Sequence, residues 1–219
     1  MIESIYLPKL NHLTPTLDST LLKIMEEAGE LARAVLHFLP YENMLDFEGN
    51  IPAAGEKLLA EVAAELLDVA QTCVTMLFVM EESYEVEVDA LIDEHIHKLI
   101  HKGYLFDHTL LYSIRTVGIF KYLNLPRLIL ENVTLLTTVC KIQEEIGELT
   151  QFLGKRSGAS GEKPELGMQA ALSGCAYELL DVAQCCFTMM YILAEKYHVN
   201  MENLLAEHTA KLRSKGYCG

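Results

Sequence analysis

Four blocks of this sequence occur twice in the same order, and that internal repeat restricts the chain to architectures made from two copies of one unit. Leu7-Pro8-Lys9-Leu10 returns as Leu125-Pro126-Arg127-Leu128, and Lys23 to Leu31 (KIMEEAGEL) returns as Lys141 to Leu149 (KIQEEIGEL). Glu65 to Gln71 (ELLDVAQ) returns as Glu178 to Gln184 after a shortened interval. Glu94-His95, Lys98 and Lys102-Gly103-Tyr104 return as Glu207-His208, Lys211 and Lys215-Gly216-Tyr217. The expected organisation is a first unit over residues 1–104, a linker over 105–124 and a second unit over 125–219. The linker carries Phe106, Leu110, Tyr112, Ile119, Phe120 and Tyr122, so it is expected to pack on the body and not to act as a flexible tether.

Each unit reads as helices. Leu17, Leu21, Leu22, Ile24, Met25, Ala28, Leu31, Ala32, Val35 and Leu36 recur at spacings of three and four, after the turn residues Thr14-Pro15-Thr16 and with Asp18 as the expected cap. A second helix is expected from about Glu56 to Glu82, and a third from about Val86 to Lys102, stopped by Gly103. In the second unit the first helix is expected to end near Gly154. Ser157 to Gly161 reads as a loop, and Pro164 as the opening of the next helix. No period-two run bounded by turns predicts a sheet. The expected fold class is all-α.

Half of the 219 residues are apolar, enough for a sizeable core. The formal charge of −14 argues against a nucleic acid polymer as partner, because such binding needs clustered Lys and Arg. Acidity on this scale is compatible with holding divalent cations, which would let the chain accept a polyphosphate. Met1 to Leu10 has neither the basic start nor the apolar core of a secretory signal, so a cytoplasmic location is expected. The most apolar stretch, Leu66 to Met80, contains Asp68 and Gln71 and falls short of the ~20 residues of a spanning helix, so no membrane partner is expected. Cys73, Cys140, Cys175, Cys185 and Cys186 fall in helix-like apolar segments without a Cys-x-x-Cys pair, which predicts reduced, buried thiols.

The chemistry lies in the carboxylates. Glu26, Glu27 and Glu30, and likewise Glu144, Glu145 and Glu148, share one helical arc. Glu65 with Asp68, and Glu178 with Asp181, stand three apart among apolar residues. Acidic side chains so embedded repel one another and lose hydration unless a cation neutralises them. Carboxylate oxygens suit a hard ion, Mg2+ or Mn2+, before zinc. Ferritin-like di-iron bundles pair Glu with Glu-x-x-His, whereas the third residue after Glu65 and Glu178 is Asp here.

Glu-Glu-x-x-Glu followed on the next helix by Glu-x-x-Asp resembles the MazG-like all-α nucleoside-triphosphate pyrophosphatases, whose relatives include dimeric dUTPases and phosphoribosyl-ATP pyrophosphohydrolase. The resemblance covers both units. It implies two tandem MazG-like helical units packed as a pseudo-symmetric bundle, Mg2+ dependence, and cleavage of a nucleoside triphosphate to the monophosphate and pyrophosphate. Carried onto this sequence, the metal ligands would be Glu27, Glu30, Glu65 and Asp68 in the first unit and Glu145, Glu148, Glu178 and Asp181 in the second. Glu26 and Glu144 would be water-orienting or proton-accepting. The interval between the acidic motifs is longer than is usual in that family, which leaves the substrate pocket open.

Lys98 with Lys102, and Lys211 with Lys215, could reach phosphate oxygens or serve their helix dipoles. Lys23 and Lys141, four before a proposed ligand, read as helix ion pairs or phosphate contacts. His95 and His208 stand where relatives often carry Asn, which suggests a hydrogen-bonding role. His97 and His101 read as surface, and Met76, Met80, Met189 and Met190 as core filling. Phe38, Tyr41, Phe47 and Phe152 are the aromatic candidates for reading a base. Hydrolysis of another pyrophosphate-containing metabolite, or a non-catalytic metal-binding or interaction module, would use the same clusters. Two units paired within one chain, with further homo-oligomers open to them, complete the expectation.

Overall fold

The computed structural model describes residues 5–10, 13–44, 51–158, 161, 163 and 166–218. Its helices are α1 (Leu17–Glu42), α2 (Ala53–Tyr84), α3 (Val88–His101), α4 (Leu135–Ser157), α5 (Met168–Lys196) and α6 (Met201–Ser214). Strands β1 (Ile5–Pro8), β2 (Ser113–Val117) and β3 (Phe120–Asn124) make a small sheet in the order β1-β3-β2. The chain is mostly helical.

The helix starts follow local chemistry. Thr16 accepts from the Ser19 amide at 3.1 Å while Ser19 Oγ accepts from the Thr16 amide at 2.8 Å, a reciprocal capping box. Thr134 and Thr137 repeat it on α4. The cap is therefore Thr16, and Asp18 lies in the first turn, where its charge suits the helix dipole. The first helix of the second unit runs past Gly154 to Ser157 and stops at Gly158, whose φ of 66° only glycine adopts freely. Helices α2 and α3 differ from expectation by one to three residues at their ends. Pro164 and Phe47 lie outside the described residues.

The sheet corrects the reading that no strands form. Val117 pairs with Phe120 across a two-residue turn begun by Gly118 at φ 60°, a hairpin connection matched to strand twist. Alternation in β3 buries Lys121 and Leu123. Lys121 Nζ donates to Glu81 Oε2 on α2 at 2.7 Å and to Thr116 Oγ1 at 2.6 Å, so the buried ammonium is paired. Ile114, Leu123 and Phe106 are buried, and β2 lies against α3. Leu105, Leu110 and Leu111 are exposed.

The core centres on α2 and α5. All residues from Val69 to Met80 are buried, as expected of a helix covered on every side. Each fully buried Leu or Met there contributes ~1.5–3 kcal/mol of hydrophobic stabilisation. By length and composition α2 could also cross a membrane, yet 83 % of its most apolar window is buried inside the protein. α1 packs on α2, α4 on α5, α1 on α4 and α2 on α5. A Cβ on Gly174 would come 2.3 Å from the Phe152 ring, which identifies the tight α4–α5 contact. The short helices are crossed: α3 packs on α5, and α6 packs on α2.

Candidate metal and phosphate sites

Two acidic clusters form where the repeated motifs face each other. Carboxylate oxygens of Glu27 and Glu30 on α1 and Glu65 on α2 lie within 4.8 Å of one another, as do those of Glu145 on α4 with Glu178 and Asp181 on α5. Asp68 and Glu148 stand outside these groups of three. The second cluster is buried throughout, whereas Glu30 and Glu65 are half-exposed.

Opposing cations come partly from the same helix and partly from the other end of the chain. Lys23 Nζ lies 2.5 Å from Glu27 Oε1, and Lys141 Nζ lies 2.5 Å from Glu145 Oε1. Across the repeat, Lys98 of α3 pairs with Asp181, and Lys211 of α6 reaches Asp68 Oδ2 at 2.8 Å. His95 Nδ1 is 3.3 Å from Asp181 Oδ1, and His208 Nδ1 is 3.6 Å from Asp68 Oδ1. Both rings are buried. Gln184 and Gln71 anchor the far sides: their amides donate to the Pro126 and Pro8 carbonyls at 2.9 and 2.8 Å, which turns Oε1 toward each imidazole Nε2. The second cluster is thus completed by α3 from the opposite half, and Asp68 beside the first is met by α6.

Burial dominates the electrostatics. It raises the Glu178 carboxyl to about 7, with the shared hydrogen bond to Glu145 adding to it and Lys98 opposing. Glu178 Oε2 is buried and has no hydrogen-bond partner among the described residues. Burial likewise raises Glu27, against the pull of Lys23, and Glu65. Asp181 would rise by burial, yet His95 and Lys98 hold it below the usual carboxylate range. Burial lowers His208 to about 4 although Asp68 favours its charged form, so its imidazole is neutral near pH 7.

Open space adjoins both clusters. A cavity of about 430 Å3 is lined by Lys23, Glu27, Asp68, Gln71, Lys211 and Lys215. A second of about 240 Å3 is lined by Lys102, Lys141, Glu145, Asp181, Gln184 and Cys185. Glu26 and Glu144 stay on the exposed side, each 3.0 Å from Lys23 or Lys141.

Other expected residues fall elsewhere. Phe38 is buried edge-on to Tyr197 at 5.4 Å, Tyr41 packs at Gly55 and Phe152 at Gly174. These three aromatics pack at contacts between helices. His97 and His101 are exposed, and Met76, Met80, Met189 and Met190 are buried, as expected. All six cysteines are free, but Cys140 is exposed and Cys185 half-buried, which corrects the reading of uniformly buried thiols. Gln71 and Gln184 were missed as site residues although they close the repeated ELLDVAQ block. Thr72 and Cys185, which differ between the cavities, were also missed. No family model, curated protein or solved structure matches this chain.

Proposed function

We propose that the chain is a Mg2+-dependent nucleoside-triphosphate pyrophosphohydrolase, releasing a nucleoside monophosphate and pyrophosphate as a nucleotide-pool cleaning activity. The observation that carries the reading is Glu178 Oε2, a buried carboxylate oxygen without a partner among the described residues, inside a cluster with Glu145 and Asp181. Leaving such an oxygen unsatisfied is costly, and a hard divalent cation is the partner its chemistry fits. The residues present suit Mg2+, or Mn2+, held by Glu145, Glu178 and Asp181 with Glu148 nearby in sequence. Glu27, Glu30 and Glu65, with Asp68 beside them, form the corresponding set. The resemblance to MazG-like enzymes supports the same assignment, and on this reading two units over 1–104 and 125–219 pair as a pseudo-symmetric bundle.

When bound, the cation would supply charge neutralisation for the phosphates and lower the pKa of a coordinated water. Lys98 and Lys102 serve the second cluster, and Lys211 and Lys215 the first, by holding phosphate oxygens as point charges. A first-motif glutamate, Glu144 or Glu26, takes the proton of the attacking water. The water oxygen bonds to the α-phosphorus as the bond to the α–β bridging oxygen breaks, and pyrophosphate leaves. Positioning and electrostatics account for such chemistry without a protein nucleophile. The reading places the chain in the cytoplasm, acting on free nucleotides.

A screen of ribo- and deoxyribonucleoside triphosphates for pyrophosphate release, with and without Mg2+, tests the proposal. Metal-dependent pyrophosphate with the monophosphate is the expected result. Orthophosphate and a diphosphate as primary products would refute it, and no turnover of any triphosphate would favour another pyrophosphate substrate or a non-catalytic metal-binding module.

A further inference from the structure

Along α5, Asp181, Gln184, Thr188, Tyr191 and Glu195 recur at spacings of three and four, which places them on one helical stripe. The stripe begins at the second acidic cluster and ends in a cavity of about 840 Å3. Asp181 to Tyr191 spans ~15 Å along the helix axis. Leu128, Leu130, Val133 and Thr188 line both this cavity and the smaller one at the cluster, so the two spaces adjoin each other.

The lining suits a planar polar ring. Arg127 lies 5.3 Å over the Tyr191 ring, and its Nη2 donates to Glu195 Oε2 at 2.6 Å, which fixes a flat cationic surface. Tyr112 adds a second ring, and Asn124 a carboxamide that donates to the Leu111 carbonyl at 2.7 Å. Leu110, Leu111 and Ile129 line the same cavity while 59, 84 and 68 % exposed. Apolar side chains gathered at one polar-edged hollow mark a binding place, and its volume falls in the range of small-molecule sites.

The first half uses the matching residues differently. Lys9, Phe78 and Glu82 hold the repeat offsets of Arg127, Tyr191 and Glu195. Lys9 pairs with Glu82 and lies 5.7 Å over Phe78, but Lys121 of β3 also stands over that ring at 5.0 Å, and Phe78 is only 4 % exposed. The sheet covers this ring.

We propose that the 840 Å3 cavity is the nucleoside subsite of the second cluster alone, taking the base and sugar of a nucleotide whose phosphates lie at Glu145, Glu178 and Asp181. The first cluster then binds polyphosphate without reading a base. Only the phosphate end of this assignment rests on the pyrophosphohydrolase reading.

Calorimetric titration of the full chain with nucleoside monophosphates and, separately, inorganic pyrophosphate, both with Mg2+, tests it. Arg127→Gln and Tyr191→Leu are each expected to weaken the best-bound monophosphate roughly tenfold, the scale of one base-stacking contact, with pyrophosphate affinity unchanged. Arg127 is half-exposed, so its variant decides the matter if Tyr191→Leu fails to fold. Unchanged monophosphate affinity in Arg127→Gln, or no monophosphate binding to the wild type, would overturn the subsite. So would a Leu111→Glu variant that abolishes self-association while leaving monophosphate affinity intact, which would make the cavity a protein interface. Failure of pyrophosphate to bind, with Arg127-dependent monophosphate binding retained, would remove the catalytic reading and leave the subsite standing.

Discussion

His95 Nδ1 lies 3.3 Å from Asp181 Oδ1, so a buried side chain of the first repeat touches a carboxylate of the second repeat's acidic cluster. With Gln184 on its other nitrogen at 3.5 Å, the ring fixes the side from which Asp181 faces the cluster. Partners that orient a ligand in this way typically change metal affinity by about 10–100-fold when removed. His95→Ala is therefore expected to weaken Mn2+ or Mg2+ binding at the second cluster by that factor and to leave the first cluster unchanged. Metal titration with the two sites resolved checks this, and an equal loss at both sites would contradict the crossed arrangement.

Glu27→Gln combined with Glu145→Gln deletes one carboxylate from each cluster at nearly constant side-chain size. Turnover should fall by more than roughly a hundredfold at saturating Mg2+, while the helical circular dichroism signal is kept. Melting without metal should hold or rise, because each change removes charge from a crowded acidic group. Near-wild-type turnover would show that the ligand assignment is wrong.

The raised Glu178 gives stability an unusual pH slope. Its carboxyl titrates at about 7 in the folded chain against 4.5 as reference. Its stabilising contribution is therefore complete below 4.5 and lost as pH rises through 7. His208, lowered from 6.5 to about 4, acts oppositely, its contribution being lost as pH falls below 6.5. Between pH 6.5 and 8 the metal-free chain should lose melting temperature as Glu178 ionises, and Mg2+ should restore it. Glu178→Gln should flatten that slope. A metal-free melting temperature that rises across this window, or a slope unaltered by Glu178→Gln, would count against the assignment.

Much of this arrangement was legible because the repeat marks what must recur. The ion pairs of Lys23 and Lys141 follow from helix spacing, whereas the caps at Thr16 and Thr134 do not, since the sequence favoured Asp18. The crossing of α3 and α6 was not legible, since helical periodicity gives the face of Lys98 but not which half it meets. The sheet was missed because β2 and β3 are five residues each, too short for alternation to stand out. Its signal was Gly118 between Thr116-Val117 and Phe120. Asp68 stands outside its group of three although, like Asp181, it is met by a lysine and a histidine from the other half, a difference that sequence spacing does not reveal.

Asp68→Asn and Asp181→Asn should have unequal effects. Asp181 is buried with Glu145 and Glu178, whereas Asp68 is more exposed and sits outside its group of three. The Asp181 variant should therefore lose the larger share of nucleotide turnover, by about tenfold or more. Steady-state rates of the two single variants decide this, and equal losses would contradict the asymmetry.

Residues 1–104 expressed alone should not form a stable active monomer. Cutting there removes α6, and with it His208 and Lys211 from Asp68, and removes β3, to which β1 is hydrogen-bonded. It also uncovers the side of α2 that packs on α5, within a run from Val69 to Met80 that is buried throughout. An apolar surface of that kind drives association. The half-chain is expected to aggregate or to pair with a second copy, whose α3 would stand in for α6 because His95 and Lys98 repeat His208 and Lys211. Sedimentation and pyrophosphate-release assays on the fragment separate the outcomes. A dimer with residual activity would support two units paired about an equivalent interface, and a monomeric, folded, fully active fragment would remove the basis for the paired arrangement.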